Sequence, residues 1–260
     1  MNKQRLDIIL VEAGLAANHT QARGLIMAGQ VRVDGSVTDK AGVLVPTTAQ
    51  VTVQRGPAFV SRGGIKLAAA LDGFGIDVRG LICADVGAST GGFTDCLVQR
   101  GAAQVLAIDV GYGQLAWKLR QDTRVTVLER TNVRYLTSLP GVSVVDLVTI
   151  DVSFIGLNLV IPPVLSWLRA PRGSLIALIK PQFEADRQQV GNGGVVRDPL
   201  VHHAVLEHML IWAQRQLLDV LGLMRSPITG PAGNVEFLVW LRPGGGTGDV
   251  SALVTACLAA

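Results

Sequence analysis

Ala84-Asp85-Val86-Gly87-Ala88-Ser89-Thr90-Gly91-Gly92-Phe93 is the stretch whose reading decides the fold. Leu81, Ile82 and Cys83 lead into it as a short apolar strand, and residues 91–99 leave it as a helix. A strand that breaks through glycines into a helix brings bare backbone N–H groups close to a ligand. The spacing is not G-x-G-x-x-G, because Ser89 stands where the second glycine would be. Downstream, Val105-Leu106-Ala107-Ile108-Asp109 reads as a second strand ending in an acid. A carboxylate there can accept the two ribose hydroxyls of an adenosine. Taken alone, a glycine-rich turn is a plain tight turn as readily as a binding loop. The strand before it and the spaced acid after it favour a nucleoside-type cofactor site.

Outward from this stretch, composition sets the frame. The 260 residues allow one large domain, or a large and a small one. Hydrophobic residues make up 49% and aromatics only 5%, which suits an α/β core of Val, Leu, Ile and Ala. The net charge of +3 is unevenly placed. Residues 1–66 hold eight Lys/Arg against four Asp/Glu, and the remainder holds 15 against 16. The positive excess therefore sits in the first quarter, as in an appended module that meets phosphates or, equally, on a solvated face. Cys83, Cys96 and Cys257 are widely spaced and form no C-x-x-C pair, so they read as small core residues. The start, Met1-Asn2-Lys3-Gln4-Arg5-Leu6-Asp7, carries no apolar signal region. The uncharged run 152–168 is short for a span and is interrupted by Pro162-Pro163. The expectation is a cytoplasmic chain without stable membrane insertion.

The first quarter predicts a small α+β module. Leu6, Ile9, Leu10 and Ala13 share one helical face, and Gly14 ends that helix. Asn18 is placed to cap a second helix at 20–28, closed by Gly29. Val31-Arg32-Val33-Asp34-Gly35-Ser36-Val37 alternates about an Asp-Gly turn, a hairpin signal. Val43-Leu44-Val45 and Val51-Thr52-Val53 are expected to complete one small sheet. R-L-D-x-x-L, then G-L, then A-R-x-L-I-x-x-G-x-V-x-V-x-G resembles the RNA-binding domain typified by ribosomal protein S4. The resemblance implies RNA contacts from Arg5, His19, Arg23 and Arg32, although Asn18-His19 departs from the Ser-Arg often found there. Phosphate contacts of this kind weaken with salt. The competing reading is that Arg5 pairs with Asp7 inside the module.

Residues 55–58 read as a linker, and the second domain is expected over 59–245 with a tail at 246–260. Gly63-Gly64 precede a helix at 65–71 with Lys66 in its first turn, a poor place for a cation by dipole logic. Further strands follow at 125–128, 146–151, 175–179, 219–224 and 235–241, with a long amphipathic helix at 200–218. Alternating strands and helices argue for a mostly parallel seven-stranded sheet covered on both faces. Ligands in such sheets collect beyond the carboxyl ends of the strands, where Asp85, Asp109, Asp151 and Lys180 all stand. An antiparallel seventh strand would bring Glu236 to the same edge. Asn132, after the third strand, is a candidate adenine contact or a plain surface turn. Gly193-Gly194 read as a mobile loop or an ordinary one. His202, His203 and His208 lack the spacing and carboxylates of a metal site, so no metal is expected.

This order of elements resembles the class I, Rossmann-like methyltransferases that use S-adenosylmethionine. D-V-G-A-S-T-G-G-F is similar to the FtsJ-like ribose methyltransferases. Joined to the N-terminal module, S-R-G-G-I-K-L, T-I-D-V-S-F and I-K-P-Q-F-E resemble the TlyA family, whose members often carry the name haemolysin. The resemblance implies 2′-O-methylation of ribose, with cytidine as the nucleoside, in ribosomal RNA or ribosomal subunits. It places a Lys–Asp–Lys–Glu tetrad on Lys66, Asp151, Lys180 and Glu236. It implies cofactor contacts from Asp85, Gly87, Ser89, Gly91, Gly92, Phe93, Asp109, Asn132 and Asp151. The chemistry agrees. A ribose hydroxyl is a poor nucleophile, and a base must take its proton as the oxygen attacks in line. A second lysine nearby and partial burial favour a neutral amine, and the carboxylates oppose it, so the sequence leaves open which lysine is the base. A membrane-damaging haemolysin and a non-catalytic RNA-binding protein are the alternatives. The missing signal and pore segment weigh against the first, and the complete tetrad against the second.

Overall fold

The computed structural model describes residues 3–54 and 57–259. The chain divides into two compact units, residues 1–58 and 59–260. The linker expected at 55–58 falls partly on Arg55 and Gly56, outside the described residues, as do Met1, Asn2 and Ala260.

The small unit runs β1 (Lys3–Arg5), α1 (Leu6–Glu12), α2 (His19–Met27), β2 (Val31–Val33), β3 (Ser36–Val37), β4 (Leu44–Pro46) and β5 (Val51–Val53). Leu6, Leu10, Ala22, Ile26, Val31 and Val45 are buried together as its core. Asn18 caps α2, its side-chain oxygen accepting from Gln21 N–H at 2.9 Å. Asp34 (φ 48°) and Gly35 (φ 82°) both adopt positive φ, as a tight hairpin turn between β2 and β3 demands. The single expected sheet is two. β5 joins β2, whereas β4 pairs antiparallel with β1. Lys3-Gln4-Arg5 carries no apolar alternation, so nothing in the sequence marks it as β4's partner.

Asp7, in the first turn of α1, is buried and accepts from Arg5 at 2.8 Å and Arg23 at 3.1 Å. The Arg5 hydrogen bond, then the Arg23 contact, hold its carboxyl far below the usual carboxylate range against the cost of burial. A depressed carboxylate stabilises the fold above its unfolded pKa of about 3.9 and loses that contribution as pH falls towards the folded value. Thermal unfolding of the small unit should therefore shift downward as pH drops below about 4. Asp7→Asn should lower the unfolding temperature at pH 7 and flatten that acid limb. An unchanged acid limb in Asp7→Asn would assign the pH dependence to other carboxylates.

The large unit begins with α3 (Gly63–Phe74), β6 (Ile82–Val86), α4 (Gly92–Gln99), β7 (Gln104–Ile108), α5 (Trp117–Arg120) and β8 (Val125–Leu128). It continues through β9 (Leu147–Ile150), α6 (Leu157–Leu165), β10 (Ser174–Ile179), α7 (Pro181–Glu184), α8 (Pro199–Arg215), β11 (Leu218–Arg225), β12 (Phe237–Pro243) and α9 (Val250–Ala259). Its seven strands lie in the order β11-β12-β10-β9-β6-β7-β8. β12 runs opposite to the other six strands, so its pairings with β10 and β11 are antiparallel and the rest are parallel. β9 and β10 are buried at every position, the signature of central strands covered on both faces. One core, with Leu106, Ile108, Val148 and Ile150, packs beneath α6, α8 and α9. The other, with Cys83, Leu97, Val105 and Ile176, packs beneath α3 and α4. The long helix stops at Arg215, short of its expected end, because Leu217 turns left-handed (φ 59°) and β11 begins at once. Residues beyond 246 fold back as α9, burying Val254 and Cys257. Among the described residues no helix is long and apolar enough to cross a membrane.

Candidate active site

The sheet register brings the chemistry to one edge. Val86 and Ala177 both pair with Ile150, so Gly87 and Asp151 leave the sheet side by side. Ile179 pairs with Phe237, so Lys180, which follows β10, lies beside Glu236, which precedes the antiparallel β12. Lys66 reaches the same place from the first turn of α3 and is 6% exposed. Its ammonium pairs with Glu236, itself 1% exposed. Lys180 Nζ lies 2.7 Å from Asp151 Oδ1 and donates an aligned hydrogen bond to Ser153 Oγ at 3.0 Å. The four tetrad residues therefore form two lysine–carboxylate pairs beside one cleft lined by Lys66, Asp151, Lys180 and Ser61. Removing one partner of a buried pair leaves a stranded charge, so each pair fixes the placement of its own two side chains.

The glycine turn forms the floor. Gly87 (φ 84°) passes so close to β9 that a Cβ would stand 2.5 Å from the Asp151 carbonyl oxygen. Gly92 passes equally close to Ser61, where a Cβ would meet Oγ at 2.2 Å. Gly87, Ser89, Gly92 and Phe93 line the cleft. Gly91 (φ 96°) turns away from it, towards the side chains of Leu115 and Leu119. Asp85 does not reach the cleft either. It is fully buried, and accepts from Thr94 Oγ1 at 2.6 Å and Thr149 Oγ1 at 3.2 Å. Burial pushes its carboxyl up to about 7.

A second cavity of about 500 Å³ shares Gly87, Ser89, Asp151 and Ser153 with the cleft and opens towards Asp109 and Asn132. Asp109 Oδ2 accepts from Ser89 N–H at 2.7 Å and Oδ1 from Gly111 N–H at 2.6 Å, locking the two strand-end loops together. Val110, Val133, Val152 and Ile155 supply apolar walls. In the chain segments next to Val110 and Asn132, Arg130 stacks on exposed Tyr112, 4.2 Å from the ring centroid, and Arg134 lies 5.4 Å from that of exposed Tyr135.

A third cavity of about 350 Å³ adjoins Lys180 and Glu236 and is bounded by Phe154, Phe183 and Gly193-Gly194. The glycine loop is tied down. Buried Asn234 donates to Gly194 O at 2.8 Å and accepts from Val196 N–H at 2.9 Å. His202 is also buried, 3.1 Å from Val196 O, whereas His203 and His208 are exposed. Ser153, Arg62 (donating to Thr229 O at 2.6 Å) and Asn234 take no role from the sequence alone, because their partners lie 27 to 167 residues away.

In the small unit Arg5 and Arg23 are engaged by Asp7, the pairing that the sequence offered as the competing reading for Arg5. Their side chains stay 44% and 58% exposed. Arg32 bonds Gln54 Oε1 and Gly35 O at 3.0 Å each, and His19 is exposed at the start of α2.

Residues 59–243 match the family described as FtsJ-like methyltransferase, and residues 4–51 match the S4 domain. A Mycobacterium tuberculosis relative named 16S/23S rRNA (cytidine-2′-O)-methyltransferase TlyA is 48% identical, over 92% of this chain and 90% of that one. Hemolysin A of Brachyspira hyodysenteriae is 38% identical, over 90% of this chain and 98% of that one. A solved Streptococcus thermophilus structure, also named among the hemolysins, superposes with a TM-score of 0.75 at 41% identity, covering 100% of this chain and 95% of that one.

Proposed function

The chain belongs to the FtsJ-like methyltransferase family, and on that premise we propose that it methylates the ribose 2′-hydroxyl of a cytidine in ribosomal RNA. The cofactor is S-adenosylmethionine. The observation that carries the reading is the pair of lysine–carboxylate contacts on the sheet edge, beside a cavity floored by glycines that only a bare backbone can occupy. That cavity suits the cofactor's nucleoside, with a carboxylate among apolar walls at one end and the lysine cleft at the other.

Gly87, Ser89, Gly92 and Phe93 would surround the cofactor's methionine end, Asp109 would accept its ribose hydroxyls, and Asn132 would border the adenine. Asp85 and Gly91 act from behind, holding α4 and the turn. When bound, S-adenosylmethionine supplies an electrophilic methyl group on sulfonium. Lys180, as the neutral amine left when its ammonium has released a proton to solvent, takes the proton of the 2′-hydroxyl as that oxygen bonds to the methyl, and Asp151 and Ser153 stabilise the ammonium that re-forms. Lys66, held by Glu236, donates to the attacking oxygen and fixes its direction. Arg5, His19, Arg23 and Arg32 meet phosphates on the S4-like unit. The Tyr112–Arg130 and Tyr135–Arg134 pairs offer stacking surfaces for unpaired bases. The substrate would be met in the cytoplasm, within ribosomal RNA or ribosomal subunits.

Purified protein given S-adenosylmethionine and each ribosomal subunit should install one new 2′-O-methyl group on a cytidine, read by mapping modified riboses. No transfer to either subunit, nor to their free RNA, would overturn the reading. Asp109→Ala should weaken cofactor binding by about 1–3 kcal/mol in calorimetry, with and without RNA, because the ribose hydroxyls lose their acceptor. Unchanged affinity in a folded variant would remove Asp109 from the site.

A further inference from the structure

Two loops leave the sheet from the residues that meet in the cleft, one from Asp151 to the start of α6 and one from Lys180 through α7. They are closed on each other at both ends. Near the sheet, Lys180 contacts Asp151 and Ser153. In the middle, the rings of Phe154 and Phe183 lie 5.0 Å apart between centroids. At the far end, Glu184 Oε1 accepts from Leu157 N–H, the first residue of α6, at 2.9 Å. Gly156, at the N-cap of α6, has no side chain to do this. Glu184 therefore caps from 27 residues away, and the cap is also a brace between the loops.

Two further observations say that the brace matters. Phe154, a residue that is 91% exposed, adopts φ 65°, a left-handed conformation that a bulky residue holds only when its surroundings impose it. It sits between the Lys180–Ser153 contact and the Glu184–Leu157 contact, which fix the chain on either side. Glu184 also sits at a cost. Burial pushes its carboxyl up to about 7, and among the described residues no cation pairs with it. An apolar side chain of similar size would avoid that desolvation, so packing alone does not call for a carboxylate here.

We propose that Glu184 is a positioning residue for methyl transfer, holding the Asp151–Ser153 loop against the Lys180 loop through its hydrogen bond to Leu157 N–H. It touches neither substrate nor cofactor and acts through Ser153 and Asp151 on the Lys180 amine. Supporting partners of this kind cost about 10–100-fold when removed, and displacing a catalytic group by about 1 Å costs about 10²-fold.

The inference rests on the methyl-transfer reading, and wild-type protein assayed beside the variants separates the two. Glu184→Met fills the volume without an acceptor, and Glu184→Gln keeps an acceptor for Leu157 N–H. In the full chain, Glu184→Met should lower single-turnover transfer to ribosomal subunits about 10–100-fold. It should leave KM for the RNA and calorimetric cofactor affinity within about twofold, a split that general loss of structure would not give. Amide exchange across residues 151–157 should quicken. Glu184→Gln should recover most of the rate and the protection. Glu184→Met as fast as wild type would overturn the proposal while leaving the methyl-transfer reading intact. Glu184→Gln as slow as Glu184→Met would also overturn it, because the hydrogen bond would not be the agent. A wild type that transfers nothing would overturn both.

Discussion

Lys180→Arg should fold, bind S-adenosylmethionine and RNA, and transfer methyl groups about 10²–10⁴-fold more slowly in a single turnover. Arginine keeps the cation that Asp151 and Ser153 now hold, so a purely electrostatic role would survive in part. It cannot readily give up its proton, so it has no lone pair to offer the 2′-hydroxyl. Lys180 is only 9% exposed, and the larger guanidinium must displace something in the cleft. That makes cofactor affinity an essential control, measured on the same preparation. Near-normal transfer by Lys180→Arg would eliminate Lys180 as the base. The same substitution at Lys66, the second lysine of the cleft, would then be the next measurement.

The sequence made that experiment legible because strand ends announce themselves. An apolar run closing on Asp85, Asp109, Asp151 or Lys180 has a period and a stop, and a parallel sheet sends all such stops to one edge. Alternation along the strand decides what each stop then does. Asp85 precedes the last residue of β6 and turns inward to Thr94 and Thr149, whereas Asp151 follows β9 and faces the cleft. A motif letter does not carry that difference, so Asp85 read as a cofactor contact. Charge counting says nothing of the burial of Asp7, which engages Arg5 and Arg23 while their side chains stay 44% and 58% exposed. Ser153 and Glu184 stand inside the quoted motifs and Asn234 close to Glu236, yet their roles are not legible there, because each acts on a partner that only the folded sheet brings near. The polar triplet of β1 is invisible for the opposite reason, being a strand by pairing rather than by pattern.

Gly87→Ala should lower methyl transfer sharply and lower the unfolding temperature more than a glycine substitution that carries strain alone. The turn sits at φ 84°, which costs an L-residue about 1–2 kcal/mol. The added methyl would also stand 2.5 Å from the Asp151 carbonyl oxygen and 3.1 Å from Val152, and overpacking of that kind costs about 1–3 kcal/mol. A backbone carbonyl at the end of β9 cannot swing aside as a long side chain can. The loop must move instead, taking with it the Ser89 N–H that Asp109 accepts and pressing on Asp151 beside Lys180. If about 3 kcal/mol of this falls on the cofactor-bound state, affinity drops roughly 100-fold. Gly80→Ala separates strain from collision. Gly80 has φ 74° and nothing within 4 Å of its added Cβ, so that variant carries the same conformational penalty in open space. Gly80→Ala should lower the unfolding temperature slightly and keep cofactor affinity and transfer. Gly87→Ala binding S-adenosylmethionine as tightly as wild type would mean that the glycine turn does not face the cofactor. The cavity it floors would then have to be assigned to the RNA.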